Sequence, residues 1–241
     1  MEELVIRDAD VVDGSGDFSY RADVVVDGGR IVSIVKEAAD AGCQRPRARR
    51  ELDAEGLVLA PGFIDMHAHS DLALLRDPDH SAKAAQGVTL EVLGQDGLSY
   101  APVDDRTLGE VRRAIAGWNG SGDDVDFDWR SVGEYLDRLD RGIAVNAAYL
   151  IPQGTVRALA VGWEDRRATP EELTGCGGWS RRAWSRARSH VVGADVHARH
   201  VPADAELTEL CRVVASYAAT TARTTAPTAP ARWRRTRRWW R

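Results

Sequence analysis

The sequence predicts an α/β protein in which a small β domain precedes a parallel sheet with helical connections. Residues 1–60 contain short runs of β-branched and apolar residues separated by turn signals, which is typical of β-strands. From residue 61 onward, strand patterns alternate with helix patterns at the spacing of βαβ units. With 241 residues, of which 44% are hydrophobic and 29% charged, the chain can form one large or two small globular domains.

The predicted N-terminal domain, residues 1–60, is all-β. Asp27-Gly28-Gly29 lies between two strand patterns and is a strong hairpin signal, because glycine accepts the backbone angles of tight hairpin turns. Residues 43–50 are predicted to be a basic loop. The predicted strands are 4–6, 9–12, 22–26, 30–35, 52–54 and 57–60.

The second predicted domain, residues 61–173, alternates strands with helices. A buried strand leads from Pro61 into a polar cluster, and two further strands are predicted at 88–94 and 143–150. Ser131 is the predicted N-cap of a helix over 131–139, and Glu134 occupies the capping-box position. The other connections are a helical or loop-like segment at 72–86, a helix at 108–118, a Gly/Asp-rich loop at 119–128 and a helix start at 169–173.

Residues 174–241 are predicted to be irregular, apart from one short amphipathic helix. The stretch 175–200 shows no sustained period and no apolar face. The helix is predicted at 203–217, with Leu207, Leu210, Cys211 and Val214 on one side. An Ala/Thr/Pro-rich stretch from Ala218 then leads into a tail of arginine and tryptophan.

Charge, cysteine content and the N-terminus favour an ordinary intracellular protein. The net charge of −5 indicates no particular partner, although 174–241 is locally rich in arginine. Three widely spaced cysteines (Cys43, Cys176 and Cys211) predict reduced thiols and no disulfide framework. The sequence shows no signal-peptide pattern and no apolar run of about 20 residues, so we expect a cytoplasmic protein with no membrane partner.

The strongest chemical signal is the run from Asp65 to His69, which contains His67 and His69 two positions apart. Side chains alternate between the faces of a strand, so Asp65, His67 and His69 are predicted to point the same way. Two neutral imidazoles can bind one divalent metal ion, with further ligands from elsewhere. The competing interpretation is a purely structural histidine pair.

Two further candidate residues follow the next two predicted strands. Asp96 is predicted to be a metal ligand, although Gln-Asp-Gly is also ordinary turn chemistry. Gln153 is predicted to bind substrate; the alternative is that it closes a turn. His80 is expected to be exposed in a polar loop, and no metal binding is expected at His190, His197 and His200.

The residues around the histidine pair resemble a known family. Residues 60–71 look like the metal-binding strand of the amidohydrolase superfamily, and with 86–89, 94–102 and 154–157 they are similar to its N-acyl-D-amino-acid deacylase (D-aminoacylase) branch. The resemblance covers about 4–173 and returns over 205–217. It implies a partial TIM-type (β/α) barrel preceded by a small N-terminal β-sandwich domain. It also implies hydrolysis of a non-peptide C–N bond in a small N-acyl amino acid, one or two divalent ions such as zinc, and His67 and His69 as metal ligands.

The sequence departs from the family at two site positions and in its later part. Asp96 stands where the family has a zinc-binding cysteine, which exchanges a soft ligand for a hard one, and Gln153 stands where it has a histidine. Only 181 residues follow Ala60, whereas a TIM barrel needs about 250. We therefore expect the aspartate that moves the proton to lie outside this chain, 175–200 and 218–241 to be frameshifted translations, and the chain to have little or no activity.

Three other interpretations remain open at this stage. The chain could belong to another cyclic or linear amidase group, such as the dihydroorotases or hydantoinases. It could be a non-catalytic fragment. Its basic tail, in which arginines alternate with Trp233, Trp239 and Trp240, could bind nucleic acid, although we expect no nucleic-acid partner because the rest of the chain is acidic.

Overall fold

The chain divides into two compact units, residues 1–62 and 63–241. A computed structural model describes residues 1–36, 45–164, 166–186, 191–195, 203–216 and 220–224. Strands and helices are both present, which confirms the predicted α/β class. None of the helices in these ranges has the length and apolar character needed to cross a membrane.

The first unit contains one mixed sheet. Its strands are β1 (Glu2–Val11), β2 (Tyr20–Asp27), β3 (Arg30–Lys36), β4 (Ala48–Asp53) and β5 (Val58–Leu59). The order is β3-β2-β1-β4, with β5 also paired to β1; β2 and β3 run antiparallel to their neighbours, whereas β4 and β5 run parallel to β1. Residues 1–36 and 45–62 form this single sheet without a second one facing it, so the predicted sandwich is not confirmed.

Strand β1 joins two strands that the sequence predicts separately. Its pairing with β2 shifts register between Ile6 and Ala9, and Asp8 between them has a left-handed φ of 56°. Aspartate tolerates this conformation better than most residues, and the Asp8 N–H donates to Asp23 Oδ1 at 3.0 Å. A bulge therefore replaces the predicted break. The predicted hairpin turn is observed, since Gly28 and Gly29 join β2 to β3 with φ of 55° and 70°.

The second unit begins with two βαβ connections. Strands β6 (Phe63–Asp65), β7 (Val88–Leu93) and β8 (Asn146–Tyr149) are parallel and adjacent in that order. Helices α1 (Ala73–Arg76) and α2 (Ser81–Ala84) connect β6 to β7, and α3 (Asp105–Asn119) and α4 (Val132–Leu139) connect β7 to β8. The carboxyl ends of all three strands consequently meet at one edge of the sheet.

The later elements of this unit are helical with one further strand pair. They are α5 (Gln153–Ala160), α6 (Pro170–Arg186), β9 (Val191–Asp195), α7 (Ala203–Ala215) and β10 (Thr220–Thr224). Strands β9 and β10 are parallel to each other, and β9 lies close to β8.

An aromatic core packs the helices of the second unit against its sheet. Tyr100, Trp129, Tyr135 and Tyr149 are all buried, and the rings of Trp129, Tyr135 and Tyr149 contact one another in sequence at centroid distances of 5.5 and 5.2 Å. Helix α4 enters this core with the predicted capping box, in which Ser131 Oγ accepts from the Glu134 N–H. The Tyr135 hydroxyl of α4 donates to the Asp71 carbonyl at 2.8 Å and so fixes the loop after β6.

The prediction that 174–241 is irregular is wrong for much of this segment. Helix α6 continues through the Gly- and Arg-rich stretch to Arg186, and 191–195 is a strand. The helix starts at a capping pair, with Thr169 Oγ1 accepting from the Glu172 N–H at 3.3 Å, and it buries Cys176. Helices are held mainly by tertiary packing, which a sequence period does not reveal when few positions are apolar.

Helix α7 lies where a helix is predicted, and its Glu206 is buried. Glu206 Oε2 is 3.2 Å from Arg157 Nε of α5, and its Oε1 accepts from the Ala168 N–H at 3.0 Å. Other predictions fall outside the described residues: Cys43, His190, His197, His200 and the tail from 225 to 241, including Trp233, Trp239 and Trp240. The frameshift hypothesis therefore stays a prediction.

Candidate metal centre

Three predicted side chains meet at the carboxyl ends of β6 and β7. His69 Nε2 lies 3.1 Å from Asp96 Oδ2, and His67 Nε2 lies 3.5 Å from Asp96 Oδ1. One nitrogen or oxygen atom from each residue lies within 4.8 Å of the others. The side chains are 46%, 29% and 26% exposed for His67, His69 and Asp96, so solvent and small molecules can reach them.

The two segments that carry these residues are tied together by hydrogen bonds. The Ala68 N–H donates to the Val92 carbonyl at 3.2 Å, between the two histidines. The Gln95 side-chain amide donates to the carbonyls of Met66 at 2.7 Å and Val92 at 2.9 Å. The loop after β6 is thus held against the end of β7, and Asp96 is brought opposite the histidine pair.

Asp71 provides a second link between the same segments. Its carboxylate accepts from the Gly94 N–H at 3.2 Å and from the Ser99 hydroxyl, residues that flank Asp96 on either side. Asp71 is buried, and burial raises the pKa of its carboxyl group, an effect that these two hydrogen bonds partly oppose. The role of Asp71 was not predicted from the sequence, because its partners lie 23 and 28 residues away.

The turn after β7 directs the Asp96 carboxylate toward the histidines. Asp96 belongs to a single 3₁₀ turn, Gln95–Gly97, and has a left-handed φ of 57° that follows Gly94 at φ 73°. Within the described part of the chain, Asp96 Oδ1 is buried and has no hydrogen-bond partner. A carboxylate that faces two imidazole nitrogens and has one buried oxygen without a hydrogen-bond partner is suited to a cation, and two nitrogens with one carboxylate form a donor set that zinc accepts.

Asp65 does not join this group, although its side chain was predicted to point with the histidines. Strand β6 ends at Asp65, so the alternation of faces does not continue to His67. Asp65 Oδ1 instead accepts from the His67 N–H at 3.1 Å, and Oδ2 accepts from the Lys83 ammonium. The hydrogen bond from Lys83 holds the pKa of Asp65 below its usual value, and that of Lys83 is raised by the same contact.

The expectation that His80 is exposed is wrong. His80 is 8% exposed, and its Nε2 lies 3.2 Å from Glu91 Oε2. Glu91 is fully buried in β7, and its other oxygen lies 2.9 Å from Lys83 Nζ. An acidic residue inside a buried strand is a signal that sequence inspection could have used, because a buried charge requires a partner.

Gln153 was predicted as a site residue, whereas Trp118 was not. Gln153 is 4% exposed and begins α5, whose next residue, Gly154, packs so closely on the Gly97 carbonyl that an added Cβ would lie 2.8 Å from it. The substrate-binding role of Gln153 stays a prediction.

Trp118 of α3 was not predicted from the sequence. Its ring lies 5.6 Å from the His69 ring, and the residue is 45% exposed.

Comparison with known proteins gives consistent matches. A D-aminoacylase from Alcaligenes xylosoxydans xylosoxydans is 33% identical over 220 residues, which cover 89% of this chain and 42% of that protein. A solved structure from a study of the binuclear metal center in D-aminoacylase superposes with a TM-score of 0.73 at 28% identity, covering 92% of this chain and 44% of that one. Matches to dihydroorotases are weaker.

A third relative has been solved with a metal and an inhibitor. N-acyl-D-glutamate deacylase from Bordetella bronchiseptica, complexed with zinc and a phosphonate inhibitor, superposes with a TM-score of 0.75 at 27% identity, again covering 92% of this chain and 44% of that one. The chain thus spans less than half the length of these relatives. The model of the amidohydrolase family matches residues 50–235, and the chain therefore belongs to the amidohydrolase family.

Proposed function

We propose that this chain carries part of the active site of a metal-dependent amide hydrolase that acts on N-acyl-D-amino acids. The observation that carries the proposal is the convergence of His67, His69 and Asp96 within 4.8 Å at the ends of two parallel strands. The names of two relatives, D-aminoacylase and N-acyl-D-glutamate deacylase, support this substrate class. Zinc is the proposed metal, as one or two ions.

We further propose that the second unit is part of a TIM-type barrel. Its parallel β6-β7-β8 order with helical crossovers supports this, as does the position of the donor atoms at the carboxyl ends of the strands. Strand β6 is at the edge of its three-stranded sheet, and its Phe63 and Ile64 are 66% and 58% exposed. Apolar side chains on an edge strand are expected where further barrel strands pack.

In this proposal the chain's own residues have distinct roles. His67, His69 and Asp96 hold the metal, and Asp96 supplies a carboxylate where the family pattern has a thiolate. A zinc ion bound there would polarise the substrate carbonyl and lower the pKa of a water molecule. The exposed Trp118 ring beside His69 offers an apolar surface for the acyl group, and Gln153 remains a proposed substrate contact.

Metal binding by the purified 241-residue chain is the direct test. We expect zinc to bind. Asp96→Asn should raise the zinc dissociation constant by at least about 100-fold, since mutation of residues that merely orient a metal ligand already lowers metal affinity roughly 10–100-fold. Asp126→Asn is the matched control, because Asp126 is an exposed carboxylate on another loop. Zinc binding that is equal in the wild type and Asp96→Asn would reject the site.

The substrate class needs a separate assay. Hydrolysis of N-acetyl-D-amino acids, compared with their L-isomers and with dihydroorotate, would be measured with and without zinc. We expect any zinc-dependent turnover to favour the D-acyl compounds. Preferential hydrolysis of dihydroorotate would instead assign the chain to the cyclic amidases.

A further inference from the structure

We propose that Lys83 is a positioning residue for this metal centre, because its ammonium group joins the strand end that presents His67 to the strand that leads to Asp96. This inference rests on the proposed function. Lys83 lies on α2, and its effect on the two histidines is indirect. Lys83 acts through two carboxylates, Asp65 and Glu91.

The two carboxylates come from directly paired positions on neighbouring strands. Asp65 ends β6 and pairs with Glu91 of β7 in the parallel register. Lys83 Nζ donates a hydrogen bond to Asp65 Oδ2 and lies 2.9 Å from Glu91 Oε1. A single ammonium group therefore links β6 to β7, two residues before His67 and five residues before Asp96.

Asp65 transmits this constraint to the first ligand. Its Oδ1 accepts from the backbone N–H of His67 at 3.1 Å, while its Oδ2 accepts from Lys83. The carboxylate is thus fixed at both oxygens, and it fixes the backbone from which the His67 side chain projects. Metal ligands depend on such supporting hydrogen bonds for their orientation.

Glu91 explains why a cation is needed at this place. It is fully buried in β7, and an unpaired charge there would be strongly unfavourable. His80 Nε2, at 3.2 Å from Glu91 Oε2, flanks the other side of the carboxylate. Lysine is also rare in this chain, which has only Lys36 and Lys83 among 32 basic residues. A compact ammonium group can meet two carboxylates on adjacent strands, whereas a planar guanidinium favours a single bidentate partner.

The test compares two double variants that each replace an ion pair containing a buried glutamate by a neutral pair. Lys83→Met/Glu91→Gln removes the proposed constraint without leaving Glu91 charged. Arg157→Met/Glu206→Gln is the matched control, because Glu206 is also a buried carboxylate of the second unit that pairs with a basic side chain, but its pair joins α5 to α7. Zinc dissociation constants would be measured by competition with a chromophoric chelator, and Co²⁺ absorption spectra would report ligand geometry, both below the melting temperature of each variant.

We expect the Lys83 double variant to bind zinc about 10–100-fold more weakly than wild type and to show an altered Co²⁺ spectrum, while the control keeps both properties. A folded Lys83 double variant with wild-type affinity and spectrum would overturn the role of Lys83 and leave the proposed function intact. A wild-type chain that binds no metal would overturn both. An equal loss of affinity in the two double variants would also overturn the role, since it would reflect general destabilisation.

Discussion

Gly94 is the position at which one added methyl group should damage both the fold and the metal centre. Its φ of 73° lies in the left-handed region, and an ideal Cβ would sit 2.2 Å from the Leu150 carbonyl oxygen and 3.1 Å from the Leu150 carbonyl carbon. These are backbone atoms at the end of β8, which cannot rotate away. Leu150 is also held in place, because its N–H donates to the Leu93 carbonyl at 2.9 Å.

The cost of Gly94→Ala follows from two separate contributions. Strain at a left-handed non-glycine residue costs about 1–3 kcal/mol. Relief of the clash requires β7 and β8 to move apart, and overpacking of this kind costs a further ~1–3 kcal/mol. The expected loss in the free energy of unfolding is therefore about 2–6 kcal/mol, a large share of the roughly 5–15 kcal/mol of a typical protein.

Gly162→Ala is the control that separates these contributions. Gly162 also has a left-handed φ, of 86°, but the nearest atom to an added Cβ is the flexible end of Arg106 at 3.9 Å. Guanidinium unfolding followed by tryptophan fluorescence and circular dichroism would give both free energies. We expect Gly94→Ala to lose more than Gly162→Ala by about 1–3 kcal/mol. It should also weaken zinc binding, because the Gly94 N–H donates to Asp71 beside the turn that holds Asp96. Equal destabilisation of the two variants, with zinc affinity unchanged, would refute this reasoning.

Two further predictions concern stability. Asp104 caps α3 by accepting from the Thr107 N–H at 2.6 Å. Burial acts to raise the pKa of its carboxyl group, but the hydrogen bonds from Thr107 together with the charge of Arg106 lower it overall. Asp104→Ala should therefore cost about 1 kcal/mol near neutral pH, whereas Asp104→Asn should keep the cap. The charge-dependent part of the stabilisation by Asp104 is present above about pH 4 and is lost as the pH falls below that value. Denaturation at several pH values should therefore show the wild type losing stability relative to Asp104→Asn in acid. Parallel curves of stability against pH for the two proteins would contradict this. Glu206→Ala leaves Arg157 buried without its partner and should cost about 3–5 kcal/mol by the same measurement, while Glu209→Ala on the exposed side of α7 should change stability by less than about 1 kcal/mol. Similar small effects of both α7 substitutions would mean that the ion pair between α5 and α7 does not stabilise the fold.

Local patterns were sufficient for several elements and for bringing the candidate metal ligands together. The Asp27-Gly28-Gly29 hairpin and the capping box at Ser131 depend on neighbouring residues alone, and both are observed. The convergence of His67, His69 and Asp96 followed from a general property of parallel sheets, in which the carboxyl ends of adjacent strands share an edge. These predictions required no knowledge of distant contacts.

Other predictions failed because the deciding contacts are long-range. The continuation of α6 through 175–186 depends on packing that buries Cys176, and the burial of His80 depends on Glu91 in the following strand. Neither effect leaves a periodic signal in the sequence around the affected residue. The same reasoning applies to β1, where a bulge at Asp8 joins two predicted strands through pairing with β2.

From the sequence alone came the family, which the family match confirms, and three candidate metal ligands, His67, His69 and Asp96. These are properties of residue type and short spacing. Only the folded chain showed how the candidate site is held together, through Asp71 between the two segments that carry it, Lys83 between Asp65 and Glu91, and the exposed Trp118 beside His69. Such contacts join residues that lie far apart in the chain, and their geometry depends on the packing of whole strands and helices.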